Sequence, residues 1–347
     1  MIKSFLEEQH LKNTITIQTI AKALQVSVST VSKALNDSHE ISQETKDKIL
    51  AYAREYDYSP NPYASGLRSK KSKTIGVVIP EVGNSFFAAV IKGIESVARK
   101  KGYHVLIYLS NESFEKELMI LNEFQAGRVD GILISLALET DTFEHIEKLL
   151  EKNIPTVFFD RIPHAIEATK VVTNDFELGY RATKHLIQQG CRKIAYLLYR
   201  HHQAMSNQRL EGFIKALEET ALPFSEENLI DYQNANDKNR LKNALSLHAF
   251  DGIVISTEEL VTPLYAICKQ LKINIPAQLK VLSFCDFPLA TVLTPTLTTI
   301  KHPAFQMGET SAISLFKKIE KPRQNTHPET LVLASEIIER ESTERTF

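Results

Sequence analysis

Apolar residues at the start of the chain follow the spacing of amphipathic helices. Between Ile17 and Leu24 they fall at i, i+3, i+4 and i+7, which places them on one face of a short helix. Val28–Leu35 predicts a second helix after a three-residue turn, and a third begins after Ser42; Ser27 and Ser42 stand where N-caps are expected. Two helices joined by a tight turn and braced by a third predict a small all-α helix-turn-helix.

From Thr74 onward the pattern changes to short apolar runs that alternate with helical segments. Such alternation predicts α/β units with parallel sheets, and two units in tandem suggest two lobes that face a cleft. The predicted strands are Ile75–Pro80, Val105–Leu109, Gly131–Ser135, Thr156–Asp160, Lys193–Leu198, Gly252–Ser256 and Lys280–Phe284. The predicted helices are Phe87–Lys101, Glu115–Ala126, Thr142–Lys152, Arg181–Gln189, Gln208–Thr220 and Pro263–Leu271.

The stretch VSVSTVSKALN, residues 26–36, is rich in short β-branched and hydroxyl side chains, which are mediocre helix formers. In a helix-turn-helix the second helix enters the DNA major groove by its N-terminal end, where short side chains permit close approach and hydroxyls donate to phosphates. A plain helical hairpin with a polar face is the alternative. We expect base contacts from Ile17, Val28, Ser29 and Lys33, and phosphate contacts from Ser27, Thr30, Ser32, Asn36, Ser42 and Thr45.

A short segment after this unit carries the signs of a helix that forms only against a partner. Asn61 can cap it and Pro62 suits its first position, but Gly66 costs roughly 1 kcal/mol and a helix this short does not persist alone. We expect Leu67 to insert as a wedge into the DNA minor groove and Arg68 to contact a phosphate. A solvated linker is the alternative interpretation of this basic stretch.

Composition and charge narrow the function classes. The chain has 347 residues and a net charge of −1, so its basic character is local to the N-terminal part. Three widely spaced cysteines predict reduced thiols in a cytoplasmic protein. Charged residues interrupt the N-terminus, and no apolar run reaches the roughly 18–20 residues of a membrane span, so we expect neither export nor membrane insertion.

Motifs for catalysis are missing from the sequence. There is no glycine-rich dinucleotide or phosphate loop, no G-x-S-x-G elbow and no H-E-x-x-H pair. Adjacent histidines such as His201 and His202 point apart in most backbones. We therefore expect a protein that is not an enzyme, with no cofactor and no metal.

Polar side chains follow the predicted strands, where ligands of open α/β sheets bind. The aromatic ring of Phe87 could stack on a sugar face. Core packing, helix caps and surface ion pairs are the alternatives for these residues. The candidates for a small polar effector are Phe87, Asp160, Arg161, Asp175, Arg209 and Asp286.

Four stretches in order, TIQTIAKALQVSVSTVSKALN, ISQETKDKI, YSPNPYASGLRS and KTIGVVIP, resemble the lactose/galactose repressor (LacI/GalR) family of bacterial transcription regulators. The resemblance runs from about Thr14 to the C-terminus. It implies a homodimer on a palindromic operator, a hinge helix in the minor groove, and an effector domain like periplasmic sugar-binding proteins. Arg209 and Arg161 match effector-binding positions of the family. Two positions depart from the family. Thr257-Glu258 replaces the usual Asn-Asp, and Cys285 stands at the position of the family's effector-binding aspartate, with Asp286 one residue later. Thr257 is a further candidate for effector binding.

The expected domains are residues 1–13 as an extension that the family usually lacks, 14–59 as the DNA-binding domain, 60–73 as the hinge, and 74–340 as the effector-binding and dimerisation domain. The first lobe should comprise about 74–173 and 303–325, and the second about 174–302 and 326–340. We expect a bacterial, nucleoid-associated regulator, most simply a repressor, whose partners are double-stranded operator DNA, a carbohydrate-like effector and a second copy. A cytoplasmic small-molecule-binding protein or enzyme, and an exported sugar-binding protein, are the alternatives.

Overall fold

The computed structural model describes residues 15–58, 72–83, 85–198, 204–232, 237–285, 287–321 and 327–345. The chain forms two compact units, Met1–Ser72 and Lys73–Phe347. In the described part of the chain, no helix has the length and apolar character that crossing a membrane would require.

The N-terminal unit contains the three predicted helices. They are α1 (Ile17–Ala23), α2 (Val28–Leu35) and α3 (Gln43–Glu55). The N-caps are Thr16 for α1 and the predicted Ser27 and Ser42 for α2 and α3, and in each a side-chain oxygen accepts an otherwise unpaired backbone N–H. Their apolar faces meet in a small core of Ile20, Ala21, Val31, Ala34, Ile49 and Ala53.

The first lobe of the C-terminal unit is a parallel sheet with the strand order β2-β1-β3-β4-β5-β11. Its strands are β1 (Thr74–Ile79), β2 (His104–Leu109), β3 (Gly131–Ile134), β4 (Thr156–Phe159), β5 (Thr169–Thr173) and β11 (Thr330–Leu333). Its helices are α4 (Ser85–Lys100), α5 (Phe114–Glu123), α6 (Glu144–Glu151) and α11 (Ala304–Glu320).

The second lobe repeats this plan with the strand order β7-β6-β8-β9-β10-β12, in which only β12 is antiparallel to its neighbour. Its strands are β6 (Ile194–Leu198), β7 (Leu229–Asp231), β8 (Gly252–Ile255), β9 (Lys280–Phe284), β10 (Thr298–Lys301) and β12 (Glu336–Ile338). Its helices are α7 (Asp175–Gln188), α8 (Ala204–Glu219), α9 (Lys238–Leu247) and α10 (Val261–Leu271).

The chain crosses between the lobes three times. It passes from β5 to α7, from β10 to α11, and from β11 to β12. This corrects the expected division, in which the second lobe resumed at residue 326. Strand β11 pairs in parallel with β5 of the first sheet, so the last crossing lies between residues 333 and 336.

The segments that were predicted have boundaries close to the observed ones. No segment was predicted for two helices and five strands of this unit, namely α9, α11, β5, β7, β10, β11 and β12. The main extension is α7, which begins at Asp175 because the Asn174 side chain caps it by accepting the Glu177 backbone N–H at 3.4 Å. The buried faces of both sheets are apolar, and Cys191, Cys268 and Cys285 are buried free thiols. Residues that follow strands of the two sheets come close together, as Asp160 of the first lobe does to Asp175 and Arg209 of the second, and we call the region between the lobes the cleft.

Candidate functional site

The second helix of the N-terminal unit presents the exposed face that was predicted to contact DNA. Its N-cap is Ser27, whose Oγ accepts the Thr30 backbone N–H at 3.0 Å. Val31 on the opposite face is completely buried. Val28 is 36% exposed and Ser29 is exposed, so short side chains occupy the exposed positions at the N-terminal end of the helix.

Lys33 has a partner that sequence reasoning missed. Its Nζ forms an ion pair and hydrogen bond with Glu40 Oε2, and both side chains are about half exposed, at 43% and 53%. Glu40 lies beyond the end of α2, in the loop before α3, so the spacing of residues within a helix does not predict this contact. Lys33 must therefore exchange a carboxylate for a base edge or a phosphate if it contacts DNA.

Several predicted phosphate contacts also cap or terminate helices. Ser42 Oγ accepts the Thr45 backbone N–H at 3.4 Å and lies 2.9 Å from the Thr45 hydroxyl. Asn36 donates its side-chain amide to the Ser32 carbonyl at 2.8 Å. Within a hydroxyl pair only one proton is used between the partners, so the other stays available to a phosphate oxygen. Ile17 is partly buried against the core, which leaves it less to offer a base.

A buried lysine fixes the loop between α2 and α3. Lys46 Nζ lies 2.6 Å from Asp37 Oδ1 and 3.4 Å from the Asp37 carbonyl, and the lysine side chain is only 10% exposed. The hydrogen bond and charge of Lys46 lower the pKa of Asp37. Asp37 itself adopts φ 50°, where the chain turns away from α2. This contact ties α3 to the loop that follows α2.

At the cleft, Arg209 is buried, and each of its three guanidinium nitrogens has a partner within the protein. Its Nε donates to Asp175 Oδ1 at 2.7 Å and its Nη1 donates to the Ser256 carbonyl at 3.2 Å. The guanidinium lies 4.5 Å from the centre of the Phe284 ring. The partners come from the start of α7 and from the carboxyl ends of β8 and β9. The guanidinium is thus shared among elements of the second lobe rather than free to reach into the cleft.

The third contact of Arg209 is His302, at the second crossing. Arg209 Nη2 lies 3.3 Å from His302 Nε2, and His302 Nδ1 lies 3.2 Å from Ser335 Oγ at the third crossing. An arginine only donates, so Nε2 is the acceptor and the imidazole proton sits on Nδ1, facing the serine. Burial and the charge of Arg209 hold the pKa of His302 well below its usual value. The histidine is therefore neutral.

Asp160 directly follows β4 of the first lobe, is partly buried in the cleft and adopts φ 60°. Burial raises its pKa to about 6; Arg161 opposes the shift, Asp175 adds to it, and Arg209 opposes it again. Ser135 donates a long hydrogen bond of 3.4 Å to its Oδ2. Charged groups of both lobes thus act on Asp160, whose raised pKa of about 6 lies well above that of an ordinary aspartate.

Arg161, the next residue, pairs within the first lobe. Its Nη1 donates to Glu112 Oε2 at 2.6 Å, and the same carboxylate oxygen accepts the Leu138 backbone N–H at 2.9 Å. Arg161 Nε and Thr257 Oγ1 are buried and have no hydrogen-bond partner in the part of the chain that the structure describes. Two polar atoms at the strand ends thus remain to be satisfied by a ligand or by water.

Phe87 does not line the cleft, contrary to prediction. It is 1% exposed and belongs to the hydrophobic core of the first lobe, because it points to the buried face of α4. The ring that approaches the site is Phe86, whose centroid lies 6.0 Å from that of His302. Three other predicted contacts, Leu67, Arg68 and Asp286, lie outside the described residues. Among those described, no group of three or more potential ligands could hold a metal ion.

Comparisons with known proteins match both parts of the chain. Residues 16–61 match the model of bacterial regulatory proteins of the lacI family, and residues 183–343 match a periplasmic binding protein-like domain. The ribose operon repressor of Halalkalibacterium halodurans is 31% identical over 317 residues, covering 90% of this chain and 92% of the relative. The transcriptional repressor PurR of Vibrio vulnificus is 28% identical and covers 91% and 97%, respectively.

Solved structures agree with this result. A LacI family regulator from Enterococcus faecium with bound ribose is 27% identical, has a TM-score of 0.69, and covers 79% of this chain and 100% of that one. The Lac repressor dimer bound to operator and an anti-inducer has a TM-score of 0.85 over 96% of this chain and 100% of that one; at 20% identity it supports the fold alone. With two family models in the expected order and a relative above 30% identity along nearly its whole length, this chain belongs to the LacI family of bacterial regulatory proteins.

Proposed function

We propose that this protein is a transcriptional repressor that binds a palindromic operator as a homodimer and is controlled by a small sugar or sugar-like effector. Its place of action is then the cytoplasm, at the nucleoid. The observation that carries the proposal is the combination of an exposed, short-chained helix α2 in a helix-turn-helix with a buried polar site at the strand ends of a two-lobed domain.

The DNA side of the proposal rests on the exposed face of α2. Val28 and Ser29 permit close approach to the major groove, and Lys33 is the residue on this face able to pair strongly with a guanine edge. The hydroxyl pair of Ser27 and Thr30 keeps one proton for a phosphate. Two copies on a two-fold axis would place two such helices on the half-sites of a palindrome.

The effector side rests on the polar groups in the cleft. Asp160, Asp175 and Arg209 come together from both lobes, with Arg161 and Thr257 at neighbouring strand ends. Carboxylates accept from sugar hydroxyls, and guanidinium groups donate to them in a fixed plane. The ribose in the Enterococcus relative supports a sugar as the class of ligand. A ligand that contacts both lobes would favour the closed form through those contacts.

A selection of operator sequences from random duplex DNA by the full-length protein tests this function. We expect enrichment of a palindrome, followed by a change in its affinity when ribose or another member of a panel of sugars and nucleosides is added. Arg99→Ala, an exposed change on α4 away from the proposed site, serves as the control. Failure to enrich any sequence would overturn the DNA part, and indifference to the whole panel would overturn the proposed effector class.

A further inference from the structure

In the described part of the chain, a hydrogen bond joins the two lobes directly across the cleft. Ser85 Oγ donates to Glu258 Oε2 at 2.5 Å, although 173 residues separate them. Ser85 is the first residue of α4 in the first lobe, and Glu258 opens the short 3₁₀ turn Glu258–Leu260 that follows β8 in the second. Both side chains are partly exposed, so the contact lies at the mouth of the cleft rather than in a core.

The position of this contact gives it leverage. The three crossings lie at one edge, beside β5 and β11 in the first sheet and β10 and β12 in the second. β1, which leads to Ser85, is three strands from β5, and β8, which leads to Glu258, is two strands from β10. With neighbouring strands about 4.8 Å apart, the contact is roughly 10–14 Å from the edge at which the three crossings lie. A bond at that distance resists opening of the cleft far more than a bond beside the crossings would.

The chemistry of the contact is also favourable. α4 is a 16-residue helix, and the N-terminal end of a helix attracts a negative charge because its first N–H groups are unpaired and its dipole is positive there. The carboxylate of Glu258 is placed at that end. From the same first turn of α4, the Phe86 side chain extends towards the second crossing, where its ring centroid lies 6.0 Å from that of His302.

We propose that Glu258 is an interlobe latch that holds the cleft closed through Ser85 and so sets the balance between open and closed forms before any effector binds. This deepens the proposed function, on which its regulatory meaning rests. The latch also places a carboxylate of the chain itself at the positive end of α4.

Hydrogen exchange in the full-length protein, without DNA or effector, tests the latch. The variants are Glu258→Ala, Ser85→Ala and the double variant, and Glu259→Ala changes the exposed neighbouring acid as a control. We expect each single change to speed amide exchange about tenfold in both cleft segments, near residues 80–90 and 256–262, which is the size expected for loss of a hydrogen bond to a charged group. Amide exchange in the double variant should be no faster than in either single variant, because both changes remove the same bond.

Two results would overturn the latch. One is faster exchange confined to the segment that carries the substitution, which would mean a local effect; the other is additive behaviour in the double variant. Neither readout uses an operator or a sugar. A failed operator selection with the exchange result intact would therefore reject the proposed function and leave the latch standing, and the reverse outcome would reject the latch alone.

Discussion

Arg209 is a buried charge whose contacts reach separate parts of the chain. It bonds to Asp175 at the first crossing and to His302 at the second, and His302 in turn faces Ser335 at the third. From the sequence we expected its guanidinium to be free for a ligand. A charge this deeply buried requires partners within the protein, because burial without them would cost several kcal/mol. Its first role is thus to join the crossings, and a ligand would meet it already oriented.

Arg209→Lys tests this role. A lysine keeps the charge but offers a single nitrogen, so it cannot serve Asp175, the Ser256 carbonyl and His302 together. We expect a loss of about 2–4 kcal/mol in the free energy of unfolding of the C-terminal unit, measured by urea denaturation. Arg181→Lys, on the exposed surface of α7, should change it by less than about 0.5 kcal/mol. Equal stability of both variants would show that the network contributes little.

Asp160 predicts a pH dependence whose sign is fixed by its pKa of about 6, raised from 3.8. Between these values the folded state holds a proton that the unfolded state has lost, so stability falls as pH rises through 6. Asp160→Asn mimics the protonated form. At pH 7.5 the free energy of unfolding of this variant should exceed that of the wild type by about 3 kcal/mol, and at pH 4 by less than about 1 kcal/mol.

The measurement is urea denaturation of both proteins across this pH range. The low pKa of His302 makes folding less favourable as pH falls below 6.5, but this effect is common to both proteins and cancels in the difference. Asp141→Asn, an exposed change in the same lobe, is the control. A pH-independent advantage of Asp160→Asn would mean that relief of backbone strain at φ 60°, and not ionisation, is responsible.

At the scale of elements, helices were predictable wherever a cap preceded a periodic apolar face. Ser27 and Ser42 mark the starts of α2 and α3 because the capping bond is local in sequence. Strand β5 was missed because Lys170 interrupts its apolar run, although that residue is buried in the sheet. Contacts between distant residues, such as Lys33 with Glu40, depend on how the loop before α3 returns, which no local pattern encodes.

The ion pair of Lys33 gives a prediction for DNA binding by α2. Glu40→Gln should free the lysine and raise operator affinity about two- to fivefold, consistent with a surface ion pair of 0.2–1 kcal/mol. Glu55→Gln makes the same change in net charge at the exposed end of α3 and is the matched control. Titration of the selected operator at low and high salt gives the affinities. An equal gain in both variants would indicate a general charge effect.

Lys33→Ala addresses specificity in the same helix. Loss of a bidentate base contact should reduce discrimination against a single substituted base pair by about 1–3 kcal/mol, while the fold is unchanged. The measurement compares affinities for operators substituted at each position. A uniform loss of affinity at all positions, with the preference intact, would assign Lys33 to a phosphate.

At the scale of the whole molecule, the two compact units differ greatly in the size of their cores. The N-terminal core has six buried apolar residues, whereas each lobe of the C-terminal unit has two large clusters on its sheet. Smaller cores give less stability because they remove less apolar surface from water. The N-terminal unit should therefore be the first to unfold on heating.

Calorimetry of the full-length protein tests this difference. Val31 is completely buried between the helices, so Val31→Ala should lower the Tm of the first transition through a loss of about 2 kcal/mol and leave the second unchanged. Val254→Ala, in the buried strand β8, should shift the second transition alone. A single transition that both substitutions lower together would show that the units unfold as one.

The last crossing has a consequence for synthesis on the ribosome. Strand β11 closes the edge of the first sheet and strand β12 closes the edge of the second, yet both lie in the nine residues from Thr330 to Ile338. The nascent chain emerges from its N-terminus, so the helix-turn-helix can form early, while neither lobe has its full sheet until those residues have left the tunnel. Until then both sheets present an open edge to other chains. One short segment thus completes the sheets of both lobes, and it is synthesised after all their other strands.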